Sequence, residues 1–520
     1  MPAPVVQQGP WSKLPKEIQR QTFEALLATH TPYTSLQDDK HNRKCLMAYM
    51  MVSSSWQIYF ERALYHRVIL HQNDVSWLAR RSKRQRDQLR HIWLRIVLES
   101  RPCSRSWRSL QDRVRKEVRA RDHITAIDAL RLLLRMLFAW ETWSCRDLDL
   151  PPLTLELSIH SISDNEHFHR ELLFHDDEHS EPDISELSDE SHYWSQGRRT
   201  SRAPGIACHS LFEGIHLNGE EEDLFTVRRV NSLLVRRQTR RALGLYRLME
   251  ALPNIKTMWL ERWKEYPEDM QSASDNMCFF TLSGALRRGA TRIVLYEDFN
   301  DEVDAFQTEL EAKAPPERPQ IKHRKPNIIM GQVLAMQDSQ LESISVSFQT
   351  DFVHFYAGIR KRLSDANRRA SLPKLRYLSV TALMLSSTLG GKERVARANS
   401  LVRSVANVLV ALPNLEIMQL WYGGAREACM FLYKKTKTSI EISWRGTWDI
   451  QPYPNVIAQW QRLCDEMGKL LIVQKPEELL QEDQVLSAAD AILLLDMPLA
   501  VVDPLSLKQM VKEAKYKLFV

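Results

Sequence analysis

One short pattern recurs three times along the chain and limits what it can fold into. Ala251-Leu-Pro-Asn-Ile-Lys-Thr-Met-Trp-Leu260 returns as Ser371-Leu-Pro-Lys-Leu-Arg-Tyr-Leu-Ser-Val380 and again as Ala411-Leu-Pro-Asn-Leu-Glu-Ile-Met-Gln-Leu420. A residue before proline avoids the helical region, so a helix has to stop there. The alternating apolar residues that follow suit a half-buried strand. Each copy therefore reads as a helix end, a turn and a strand start. Segments 91–98, 153–159, 291–296 and 341–347 carry the strand part without the proline. Helical patterns over 231–250 and 394–410 run directly into a Leu-Pro copy. The expected fold class is α/β.

A repeated strand–helix unit of this kind resembles a leucine-rich-repeat solenoid, in which each unit buries its apolar face against the next. The copies begin 120 and then 40 residues apart, against 20 to 29 for a regular repeat, so the expected array is irregular. Crossover helices on an α/β sheet would give the same alternation. The chain divides into an N-terminal helical part (1–70), first strand–helix units (71–160), an acidic insertion (161–222), the main array (223–475) and a helical C-terminal cap (476–520). The cap is expected to cover the exposed apolar end of the array.

At 520 residues the chain exceeds one ordinary core, and 44% hydrophobic with 26% charged residues is a globular composition. No run of about 18 apolar residues suggests a membrane span. The start, MPAPVVQQGPW, lacks the basic and apolar regions of a secretory signal, which leads us to expect cytoplasm or nucleus. Seven widely spaced cysteines fit isolated thiols rather than a disulfide framework.

Candidate chemistry is sparse. The chain has no GxGxxG, no GxxxxGK[ST], no G-x-S-x-G and no HExxH. Glu297, Asp298, Asp301 and Glu302 cluster after a predicted strand, where a solvated loop or helix start is the plainer reading than acid–base or cation chemistry. Residues 164–190 hold eleven acidic side chains against one arginine and suggest a mobile insertion. His160, His167, His169, His175, His179 and His192 lie in or beside it. Zinc is one reading of them, but no compact pair matches a ligand signature, and we read a histidine-rich acidic loop. No metal, cofactor or catalytic residue is expected.

Arg236, Arg237, Arg240 and Arg241 fall at i, i+1, i+4 and i+5, a basic stripe if the segment is helical. With Trp259, Trp263 and Trp421 they form a candidate target surface. Core filling is the first reading of the tryptophans, with Trp444 and Trp448 noted beside them. A second arginine-rich segment holds Arg80, Arg81, Arg84, Arg86 and Arg90.

Leu14-Pro15 opens a predicted helix, because proline fits the first helical turn. Ile18, Phe23, Leu26 and Leu27 give that helix an apolar face. Apolar stretches at 45–52 and around Trp56, Phe60 and Leu64 follow. Three short helices with a Leu-Pro start and a late Val52-Ser-Ser-Ser-Trp56 resemble the F-box. The chain as a whole is similar to a fungal F-box-like family with a large repeat-like domain of uncharacterised function. That similarity rests on Leu14-Pro15-x-Glu17-Ile18, Trp56-Gln57-x-x-Phe60-Glu61, 235–241, Trp259-x-Glu261-x-Trp263, 295–300 and the two later Leu-Pro copies. The resemblance implies that Leu14, Pro15, Ile18, Phe23, Leu26, Leu27 and Trp56 meet the small linker protein of a cullin ubiquitin ligase. It also implies that the large domain holds an unknown protein substrate close to the ubiquitin-carrying enzyme, acting by proximity alone. Two other readings remain open: an interaction scaffold outside the ligase, and a nucleic-acid-binding protein using its arginine segments.

Overall fold

All three Leu-Pro copies start strands of one sheet. The structure, a computed structural model, describes residues 10–29, 36–101, 103, 112–143, 151–170, 172, 187–201, 203–204, 207, 211–212, 214–216, 224–241, 243–265, 268–299, 325–336, 340–364, 372–387, 391–476 and 478–514. Its main sheet holds twelve described strands in the order of the chain: β1 (Arg67–His71), β2 (His91–Leu98), β3 (Leu153–Ser161), β4 (Val230–Val235), β5 (Thr257–Trp263), β6 (Arg292–Asp298), β7 (Ser343–Ser347), β8 (Tyr377–Thr381), β9 (Ile417–Gly424), β10 (Glu427–Lys435), β11 (Ser439–Gly446) and β12 (Leu470–Gln474). Neighbours pair in parallel, except that β10 runs antiparallel to both β9 and β11. The α/β expectation holds.

Strand order never reverses, so right-handed crossovers place successive helices on one side of the sheet. The core agrees. Leu155 and Leu157 of β3, Met258 and Leu260 of β5, Ile344 and Val346 of β7 and Met418 and Leu420 of β9 share one cluster with the helices. Those helices are α4 (Asp112–Trp143), α5 (Glu268–Arg287), α6 (Ile328–Met336), α7 (Phe352–Leu363), α8 (Gly391–Leu409) and α9 (Pro454–Glu466). In every Leu-Pro copy the leucine and the apolar residue three positions later (Leu252 and Ile255, Leu372 and Leu375, Leu412 and Leu415) are buried in that cluster. The intervening strand residues face the other way. They include Glu156, Glu261, Tyr296, Ser345, Ser379, Gln419 and Trp421, so the second face is largely polar.

At the N-terminus α1 (Lys16–Ala28), α2 (Leu36–Met50) and α3 (Ser54–His66) precede β1. Pro15 caps α1, and the Ser53 hydroxyl accepts from the Trp56 amide to cap α3. An aromatic cluster joins the helices, with Phe23 4.4 Å from Tyr59 and Trp11 5.0 Å from Trp56 between ring centres. Phe23, Phe60 and Leu64 continue directly into the core of the sheet.

The C-terminal segment departs from the expected end cap. It crosses the polar face instead. Arg426 donates its amide to the Val485 carbonyl, and α10 (Ala488–Leu494) lies on β9, where a Cβ on Gly423 would stand 2.4 Å from Ala491 Cβ. Further along, Leu499 exchanges hydrogen bonds with the Gln419 side chain, and α11 (Pro504–Ala514) reaches the far side of β5. This strap has its own apolar cluster with Tyr296, Trp421, Met430 and Leu432. An end cap would cover β12, yet Leu470 and Ile472 there stay exposed. Polar groups on the open face hold the strap: Gln419 exchanges hydrogen bonds with Leu499, and Glu261 accepts from the Asp503 amide and the Ser506 hydroxyl. Among the described residues no helix is long and apolar enough to cross a membrane.

Candidate functional site: the N-terminal face and the buried arginine centre

The two predicted surfaces separate sharply. Leu14 stands just before α1, and on the helix Ile18 falls on a different face from Phe23 and Leu27, as a period of 3.6 requires. Leu14 is 40% exposed and Ile18 44%, and Pro15 is exposed as well. Phe23, at 6%, belongs to the aromatic core, and Leu26, Leu27 and Trp56 are half-buried against it. The predicted docking set is thus corrected: Phe23 is a core residue, because five aromatic side chains converge on it or its neighbours. Sequence reasoning missed Met47, Met51, Val52 and Ile58, which are exposed on α2 and α3 and at the turn between them. Six of the twenty-four large apolar side chains exposed among the described residues thus fall within 14–58. They are more crowded along this part of the chain than along the rest of the described residues.

The arginine stripe is not a surface. Residues 231–235 are a strand paired on both sides, by β3 and β5, and only Tyr246–Ala251 of the predicted helix is helical. Cross-strand pairing overrides the local pattern here. Arg236, Arg237, Arg240 and Arg241 follow β4 as a buried turn. Arg236 Nη2 lies 2.5 Å from Glu156 Oε1, and Arg241 Nη2 lies 2.9 Å from Asp164 Oδ1. Arg237 joins three elements: its Nε meets Asp298 at 2.5 Å and its Nη2 meets Glu513 of the strap at 2.7 Å. Its guanidinium also lies 4.6 Å from the Trp263 ring.

Carboxylates answer this charge from the polar sheet face. Burial pushes the Glu156 carboxyl upward, but Arg236, His91 and Arg67 outweigh it and hold the group down at about 2. Glu261 has the opposite balance. It accepts from Trp259 Nε1, the amides of Arg237 and Asp503, and Ser506 Oγ. Burial and the Asp503 carboxylate nonetheless push it up to about 7. Glu297 and Asp298, expected in a solvated loop, are buried, with Glu297 3.4 Å from Arg262. Asp301 and Glu302 lie outside the described residues, as do His175 and His179 and the centre of the acidic stretch.

A carboxyl raised in the folded state gives stability that is fully present below its ordinary value near 4.5 and is lost as pH rises through about 7. His160, pushed down to about 3 by burial and Arg95, works the other way: its contribution is complete above about 6.5 and lost as pH falls. The difference between wild type and Glu261→Gln removes the histidine term. Urea midpoints are expected to decline from about pH 4.5 to 7 more steeply in wild type than in the variant. Parallel curves would show that Glu261 does not titrate there.

Trp263, Trp421, Trp444 and Trp448 are buried and Trp259 is half-buried with its indole N–H on Glu261, so the tryptophans fill the fold. As a target surface, Trp263 and Trp421 are corrected together with the four arginines.

Comparison with known proteins adds one finding: residues 285–503 match the model of a family of unknown function, DUF6546. The match runs from the end of α5 to the residue before α11 and spans less than half of the chain. It includes β6 to β12 and most of the strap, but none of the N-terminal helices. No curated protein and no solved structure matches the chain.

Proposed function

We propose that the protein is a non-catalytic adaptor whose N-terminal helices dock on a partner through the apolar face around Leu14 and Ile18. The F-box resemblance makes the partner the linker protein of a cullin ubiquitin ligase, and the strand–helix domain then carries a protein target. One observation supports this above others: the concentration of exposed Leu14, Ile18, Met47, Met51, Val52 and Ile58 on a short helical segment whose inner side packs on the aromatic cluster. Apolar side chains gathered in water cost solubility unless something covers them. The polar sheet face, which a solenoid usually offers to partners, is occupied by the strap. A target would therefore bind elsewhere on the domain or displace the strap.

The test is a pull-down with the purified linker protein. Leu14→Asp/Ile18→Asp is expected to abolish binding, while surface positions of this kind shift stability by only about 0.5 kcal/mol each. A folded wild-type protein that fails to bind the linker would remove the ligase reading and leave the scaffold.

A further inference from the structure

Three metal-ligand side chains from separate segments meet beyond the carboxyl ends of β2 and β3, the end of a parallel sheet where ligands usually bind. Cys103 follows β2, His167 sits in the short turn His167–His169 after β3, and His192 ends the turn Glu190–His192. The Cys103 sulfur and one ring nitrogen from each histidine all lie within 4.8 Å of one another. Cys103 Sγ is 3.3 Å from His192 Nε2, and the two imidazole rings are 4.6 Å apart between centres. Tetrahedral zinc, with bonds of about 2.3 Å to sulfur and about 2.0–2.1 Å to nitrogen, separates such ligand atoms by roughly 3.5 Å.

The surroundings suit an ion. His192 Nδ1 lies 2.7 Å from Asp189 Oδ2, which holds the proton on Nδ1 and leaves the Nε2 lone pair facing Cys103. Ser191 Oγ and Arg170 fix that carboxylate in turn. His167 has φ 60° and Tyr193, next to His192, φ 64°. Left-handed backbone is costly for residues with a β-carbon, and here it occurs at one ligand and beside another. Phe168, Leu172, Ala203, Ala207, Leu211, Phe212 and Trp263 form a small cluster apart from the main core, with Cys103 and Tyr193 packed against it. Small apolar clusters of this kind are commonly stapled by a metal or a disulfide.

We propose that Cys103, His167 and His192 bind a zinc ion, oriented by Asp189, which ties the exit of β2 to the lobe after β3. One thiolate and two neutral imidazoles form a donor set that favours zinc over magnesium or calcium. Binding breaks the Cys103 S–H bond and releases its proton to solvent, while sulfur donates the electron pair to the ion. Three protein ligands leave the fourth position to water. The site is independent of the adaptor reading.

Full-length protein freed of metal and titrated with zinc, or with cobalt(II) as a coloured probe, tests the site. Wild type is expected to bind one ion tightly, with a sulfur-to-cobalt charge-transfer band that disappears in Cys103→Ser. Asp189→Asn keeps the band but weakens binding roughly 10- to 100-fold. Cys45→Ser, at a thiol on α2 in the N-terminal helices, keeps both. Absence of tight binding by wild type, or a band that survives in Cys103→Ser, overturns the proposal. Should Cys103→Ser fail to fold, alkylation of wild type decides: zinc is expected to protect Cys103 from N-ethylmaleimide, and an unchanged rate overturns the site.

Discussion

Arg237→Ala is expected to destabilise the protein by about 3–5 kcal/mol, the cost of removing one partner from a buried ion pair. The Arg237 guanidinium is buried between Asp298 at the end of β6 and Glu513 on α11, so its loss leaves two carboxylates facing each other out of water. Burial alone would lower the arginine, and both carboxylates together raise it above its ordinary value. Glu513→Ala is expected to cost less, because Arg237 keeps Asp298. The two variants also differ from wild type at the C-terminus: each loosens the anchor of α11, and limited proteolysis should cut the strap first. Urea denaturation ranks them. An Arg237→Ala midpoint within error of wild type would mean that water already reaches this centre.

Trp421→Ala is expected to cost a similar amount, about 3–5 kcal/mol, as a large side chain removed from a packed site. Trp421 is fully buried between β9 and the strap, with the Phe348 ring centre 5.2 Å away. Nothing in that position can collapse cheaply, because α10 already lies close to β9 at Gly423. Trp259→Ala, at a half-buried side chain, serves as the comparison and should cost clearly less. A Trp421 variant with wild-type stability and lost partner binding would restore the tryptophan to the target surface.

Much of the strand–helix array is legible in the sequence. The expected strand segments at 91–98, 153–159, 291–296 and 341–347 correspond to β2, β3, β6 and β7, and the helix expected at 394–410 is α8. Pro15 opens α1 as its position suggests. The arginine run shows where such reading fails. Spacing at i, i+1, i+4 and i+5 describes a helix face, but the same residues occur in a turn, and nothing near 236–241 names the carboxylates that bury them. Arg237 finds Glu513 at a separation of 276 residues. Likewise the spacing on α1 places 18 apart from 23, yet only the aromatic side chains of α2 and α3 decide which face is inward. The histidines were visible one by one. Their convergence with Cys103 was not, since it depends on two loops leaving neighbouring strands.

Where strands begin and which side of each strand is apolar are set locally, by proline's backbone restriction and the two-residue period of a strand. That the strands add in chain order, that the strap closes the polar face, and which charges lie buried together are settled by long-range packing. Those outcomes depend on burial and Coulomb pairing between segments far apart in the chain, and desolvation lets a buried arginine persist only where carboxylates meet it.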